Sequence, residues 1–332
     1  MIYKNVELHN IEALIEGSSE EGLQLCRVPL DLRQHLNENA FARSLFTTGS
    51  EIRFNLQGDQ AVITLATEDQ PAIVEIYNGS FMASWHVVTT EPTSIVVAPP
   101  EQIASLRTIA AQRELAFDPD LYRVMLPWKP AIRLLGIEGD LTPPRREQTP
   151  AQRYLAYGSS ITQGGNSIRP SGTYAMRTAQ YLGADLINLG FGGGAHLESE
   201  VADYIAGRND WGFATLELGI NLVNRDLRED EFAARVDYFI NTISSAHPDK
   251  WIFCIDMFPF RGDFEPANPR PRNFRRIVRD AVEGFNRPKL IHIDGQLMLP
   301  AIDGLTADAL HPATQGMEQI AYHLSEVMKR HL

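Results

Sequence analysis

Tyr154-Leu155-Ala156-Tyr157-Gly158-Ser159-Ser160-Ile161-Thr162-Gln163-Gly164 runs from apolar residues into small ones. A strand that ends this way hands the chain to a tight turn and presents Ser160 above the sheet edge, where a nucleophile works. Working outward, four further strands read at Asp185–Leu189, Ala214–Leu218, Trp251–Met257 and Leu290–Ile293. Helical spacing fills the gaps near Thr173–Leu182, Leu197–Ala206, Glu231–Ala246 and Asn273–Phe285, and a last helix covers Gln315 to Arg330. Strand alternating with helix predicts a doubly wound parallel α/β sheet.

Upstream the period changes. Glu51–Leu56 alternates, Ala61–Leu65 follows a Gly58-Asp59 turn, and Ala72–Tyr77 precedes Asn78-Gly79. With Ser94–Ala98 and Ala131–Ile137 these runs predict an N-terminal β-sandwich, jelly-roll-like, interrupted by a helix around Pro100 to Arg113. The Pro-rich, charged stretch Thr142 to Pro150 reads as a linker. Three segments result: residues 1–141, a linker at 142–150, and residues 151–332. The short linker and its prolines predict that the sandwich helps shape the cleft instead of swinging freely.

The 332 residues carry a net charge of −12, which argues against nucleic acid and anionic membrane, since each requires a basic face. No stretch reaches the roughly 18 apolar residues of a membrane span and no secretion signal opens the chain, so the cytoplasm is expected. The two cysteines, Cys26 and Cys254, offer neither a disulfide framework nor a metal-ligand spacing and are expected to be buried thiols. The glycines spell no phosphate loop. No metal or organic cofactor is expected, and a homo-oligomer stays open.

Beyond Ser160 the chemistry lies at strand ends: Asn188-Leu189-Gly190-Phe191-Gly192-Gly193, Gly219-Ile220-Asn221, and Asp308-Ala309-Leu310-His311-Pro312. Topology gathers such residues, because α/β sheets bind ligands outside the carboxyl ends of their strands. In order and spacing these blocks resemble the SGNH, or GDSL-type, hydrolases over the second half of the chain. Ser159 stands where that family has Asp, and Leu222 where an acid is frequent. Ile161-Thr162 agrees with the family's continuation after the nucleophile. The resemblance implies Ser160 as nucleophile, His311 as general base and Asp308 as its orienter. It further implies an oxyanion hole from the Ser160 and Gly193 amides and the Asn221 side chain.

Asp256 and Asp294 also close strands, but Asp308 shares one short turn with His311. His196 is expected to cap the next helix, and Arg261 with the cluster Arg270, Arg272, Arg275, Arg276 and Arg279 to form a solvated face. A β-sandwich ahead of the hydrolase domain is similar to carbohydrate acetyl esterases, which implies O-deacetylation of oligosaccharides imported into the cell. Trp85, Tyr77 and Trp128 would then offer a sugar platform, with core packing the stronger expectation for each. The alternatives are a short-chain carboxylesterase or lysophospholipase-like lipase, and a non-catalytic sugar-binding protein on the same scaffold.

Overall fold

A computed structural model describes residues 1–17 and 22–332. The N-terminal part holds β1 (Ile2–Tyr3), β2 (Val6–His9), β3 (Ala13–Glu16), β4 (Leu23–Cys26), β5 (Glu51–Leu56), β6 (Ala61–Thr67), β7 (Ala72–Asn78), β8 (Phe81–Val88), β9 (Thr93–Val97), β10 (Leu121–Met125), β11 (Ile132–Glu138) and β12 (Leu141–Thr142). They form two antiparallel sheets, β1-β2-β5-β10-β7-β8 with β12 against β5, and β3-β4-β11-β6-β9. Alternation along the strands sends one set of side chains inward. Ile52, Phe54 and Val124 of the first sheet meet Leu25, Ile63, Leu65 and Ile95 of the second in one apolar cluster. Helix α1 (Leu30–His35) and helix α2 (Glu38–Arg43) lie between β4 and β5, and α3 (Ile103–Arg113) follows β9.

The C-terminal part alternates as its sequence predicts: β13 (Arg153–Gly158), α4 (Ser160–Gln163), α5 (Tyr174–Leu182), β14 (Asp185–Gly190), α6 (Ser199–Gly207), β15 (Phe213–Glu217), α7 (Glu229–Ala246), β16 (Trp251–Ile255), α8 (Arg270–Phe285), β17 (Leu290–Ile293), α9 (Gly295–Met298) and α10 (Thr314–Met328). The strands are parallel in the order β14-β13-β15-β16-β17. The order reverses at β13, and the crevice of such a sheet opens there. The whole is a mixed α/β protein. Among the described residues no helix is long and apolar enough to cross a membrane.

Each face of the parallel sheet has its own core, and the N-terminal part enters both. Leu32, Leu36 and Ala40 of α1 and α2 join the cluster under α6, α7 and α8. Tyr77 and Met125 join the one under α5 and α10. A buried ionic network crosses the same boundary. Arg53 donates to both oxygens of Asp185, at 2.9 and 2.6 Å, and to Glu51, which also accepts from Arg123 at 2.7 and 2.5 Å. Burial pushes the Asp185 and Glu51 carboxyls up, but the guanidinium charges outweigh it and hold both below the usual carboxylate range. The Thr142–Pro150 stretch is tied down as well, for Asn55 donates to Pro143 O and to the fully buried Gln148 side chain, each at 2.9 Å.

Several N-terminal elements escaped the sequence reading, α1, β8 and β10 among them. Strands β1 to β4 are two to four residues long, too short to display a period. Helix α2 is six residues, started by the Asn37 side chain accepting from the Ala40 N–H at 3.1 Å.

Candidate active site

Strand β13 ends at Gly158, and Ser159 caps the short α4 by accepting the Ile161 N–H at 3.1 Å. Ser160 is therefore the first residue of that helix, where a backbone N–H has no partner within the helix. Gly164 closes the turn with φ +106°, a conformation that favours glycine, and a Cβ there would also press on Thr173.

The base arrives from the far end of the chain. Ser160 Oγ lies 2.8 Å from His311 Nε2, and His311 Nδ1 lies 2.7 Å from Asp308 Oδ2. Because a carboxylate only accepts, Nδ1 carries the proton and leaves Nε2 to accept the serine hydroxyl. Asp308 Oδ1 is saturated by Thr306 Oγ1 and by the Leu310 and His311 N–H groups, at 2.8, 2.9 and 2.9 Å. Burial alone would raise the Asp308 carboxyl, but the bonds from His311, Thr306 and Leu310 hold it well below the usual range. Ala309 sits at φ +51°, the bend that lets Asp308 and His311 meet three residues apart.

The opposite wall is made of donors. Gly193 has φ +69°, and its N–H has no partner among the described residues. Asn221 spends its oxygen on the Ala195 N–H at 3.1 Å, and its NH₂ group has no partner among the described residues. A Cβ on Gly192 would lie 3.4 Å from Ser160 Cβ, so the glycine loop rests directly beside the serine. The structure thus gathers Ser160, Gly193, Asn221, Asp308 and His311 at the carboxyl ends of β13, β14 and β15. Unpaired N–H donors close to a serine are the chemistry an oxyanion requires.

Several residues that shape this site went unread. Gln163 accepts the Gly192 N–H at 2.7 Å, and Asn37 and Asn39 donate to the Gly194 and Gly193 carbonyls at 2.8 and 3.1 Å. Arg27, fully buried, donates to the carbonyls of Asn188, Gly190, Arg43 and Phe46. Burial pulls its guanidinium down to about 10. Glu217, also buried, accepts the Ser159 N–H at 2.7 Å and the Thr162 hydroxyl at 3.0 Å. An Asn in a turn-rich stretch or an isolated Arg carries no motif, so only the α2 cap was open to detection.

Some expectations are corrected. His196 does not cap α6; its Nε2–H donates to Gly193 O at 3.0 Å and braces the same glycine. Arg275 is no solvated residue but is buried against Asp263, and Arg270 donates to the Val223, Arg225 and Leu227 carbonyls. Asp256 binds His292 at 2.9 Å and Asp294 caps α9, so both serve strand ends away from His311. Tyr77 is buried, whereas Trp85 is half exposed and Trp128 donates to Ser167 O at 2.8 Å. Cys26 and Cys254 are both buried.

Sheet order and the serine–histidine–aspartate contacts fit a carboxylic ester hydrolase on an α/β frame, and the family match shows it. The description of the family is GDSL-like lipase/acylhydrolase: its model matches residues 151–329, and the chain belongs to it. No curated protein sequence matches the chain. Among solved structures, a salicylyl-acyltransferase, SsfX3, from a tetracycline biosynthetic pathway shares the fold with TM-score 0.81 at 18% identity, over 98% of this chain and 95% of that one. A putative GDSL-like lipase from Bacteroides ovatus gives TM-score 0.70 at 18% identity, over 98% and 97%. A family two carbohydrate esterase from Clostridium thermocellum, in complex with cellohexaose, gives 0.59 at 17%, over 85% and 92%.

Proposed function

We propose that the protein is a serine esterase that removes small acyl groups, acetyl above all, from oligosaccharides through an acyl-enzyme on Ser160. The observation that carries this reading is the chain Ser160 Oγ–His311 Nε2, His311 Nδ1–Asp308 Oδ2, at 2.8 and 2.7 Å. A serine hydroxyl is a weak nucleophile until a base within hydrogen-bond reach takes its proton. Nε2 accepts that proton as Oγ attacks the ester carbonyl, and Asp308 steadies the imidazolium that forms. The Ser160 and Gly193 N–H groups and the Asn221 amide receive the oxyanion. His311 then protonates the leaving alcohol, and water attacks the acyl-enzyme by the same route. A sugar-binding protein has no use for this chain of contacts.

The choice of substrate rests on the N-terminal part, read as a β-sandwich domain over residues 1–141 and joined through 142–150 to a hydrolase domain at 151–332. It braces the oxyanion glycines and exposes Trp85 to half its area, a ring suited to a sugar face. The cellohexaose complex of a structural neighbour supports the same class. The test is acetate release from acetylated xylo-, manno- and gluco-oligosaccharides beside p-nitrophenyl esters of increasing chain length. Faster turnover of long-chain esters than of any acetylated sugar would replace this reading with a lipase or carboxylesterase.

A further inference from the structure

Strand β15 reads Phe213-Ala214-Thr215-Leu216-Glu217 and is buried throughout. A carboxylate at its end is expensive, since removing an ion from water costs several kcal/mol unless hydrogen bonds and charges compensate. Here the compensation is incomplete. Oε2 accepts from the Ser159 N–H and from Thr162 Oγ1, which in turn accepts from Tyr174 O–H at 2.6 Å. Oε1 is buried with no hydrogen-bond partner. A leucine would fill the space without the cost, so stability does not explain the residue.

Geometry does. The side chain lies under Ser159, one residue before Ser160, and Thr162, two residues after it, and Gly158 leaves the room it needs, because a Cβ there would overlap the Glu217 carboxylate. We propose that Glu217 is a positioning residue for the nucleophile. By holding the Ser159 amide on one side and Thr162 on the other, it fixes the direction in which Ser160 presents both its N–H and its Oγ. The hydrogen bonds, not the charge, carry the task. Burial favours the protonated form of Glu217, against the pull of Ser159, Thr162 and the charge of His311, which agrees with a role that needs no ion. The proposal rests on Ser160 being the nucleophile.

The experiment compares full-length wild type with Glu217→Gln, Glu217→Ala and Thr162→Val. Each is assayed for kcat and KM on p-nitrophenyl acetate and for the rate of Ser160 modification by an organophosphonate, mapped by mass spectrometry. Gln keeps an oxygen that accepts both bonds, so Glu217→Gln is expected to stay within about threefold of wild type in kcat. Glu217→Ala is expected to lose about 10²-fold in kcat, the scale of a mispositioned reacting group, with KM within about twofold and phosphonate labelling slowed in step. Thr162→Val should fall between them. A residue that only stabilised the fold would lower the melting temperature of the Ala variant and leave folded enzyme labelling at the wild-type rate. Wild-type kcat and labelling in folded Glu217→Ala overturn the proposal, as does a Gln variant as slow as the Ala variant. If wild type forms no adduct on Ser160, the esterase reading itself falls and takes the positioning role with it.

Discussion

The two walls of the site are built differently. The nucleophile and its base are held by residues of the C-terminal part: Ser159 caps α4, Glu217 holds the turn, and Thr306 and the 308–311 turn set Asp308 against His311. The glycine loop that forms the other wall is held largely from outside, by Asn37, Asn39 and Arg27 of the N-terminal part, with His196 and Gln163 from within. A wall that depends on another part of the chain answers to the contact between them. The contacts of Ser160, His311 and Asp308 are therefore local features, while the placement of the glycine loop is a property of the assembled molecule.

The largest effect is expected on the first wall. Ser160→Ala should fold normally and lose about 10⁴–10⁶-fold in kcat, as removal of a nucleophile does. Ser159→Ala should keep most of the activity and lose about 1 kcal/mol of stability, the value of a helix cap. An organophosphonate adduct on Ser159 would refute the assignment.

The contact between the parts comes next. Asp185→Ala leaves Arg53 buried beside a lost partner and should cost about 3–5 kcal/mol of unfolding free energy, read by urea titration. The pH dependence of this contact has a definite sign. Glu51 and Asp185 are held below the ordinary carboxylate range, so their stabilisation is complete above about pH 5 and is lost as pH falls through their folded values. Glu217 has the opposite sign. Its carboxyl is raised, so what it contributes is present in acid and is lost as pH rises through its folded value. Glu217→Gln should therefore gain on wild type in stability as pH rises, and a difference independent of pH would contradict the burial argument.

On the second wall, Asn221→Ala should lower kcat about 10²–10³-fold with little change in KM, the cost of one oxyanion donor. Asn39→Ala, which removes only the exposed 3.1 Å bond to Gly193 O, should cost about twofold to tenfold in kcat. If Asn39→Ala and Asn221→Ala proved equal, the N-terminal part would be contributing a substrate contact and not a brace. A variant at Asn39 without effect would make the second wall as local as the first.

What was legible follows the same division. The parallel sheet could be read because its strands are buried on both faces and its helices are long, so β17 (Leu290–Ile293) was bounded to the residue. The blocks at Ser160, Gly193, Asn221 and Asp308–His311 were legible because chemistry restricts residue types at fixed spacing, and the geometry brings them together. The braces were not, since Asn39 and Gly193 are 154 positions apart and Arg27 and Gly190 are 163 apart. Arg275 misled for a related reason: an Arg among arginines looks solvated until its helix turns it inward onto Asp263.

By itself the sequence determined the α/β order and pointed to Ser160, His311 and Asp308 as residues that meet, because hydrophobic period and motif spacing are local. Only the tertiary structure decided which donors stay unpaired among the described residues, which carboxylate lies beneath Ser159 and Thr162, and that α2 reaches across to the glycine loop. Those depend on the burial and partners of groups far apart in the chain, where a hydrogen bond gains strength as water leaves and an unpaired group gains cost.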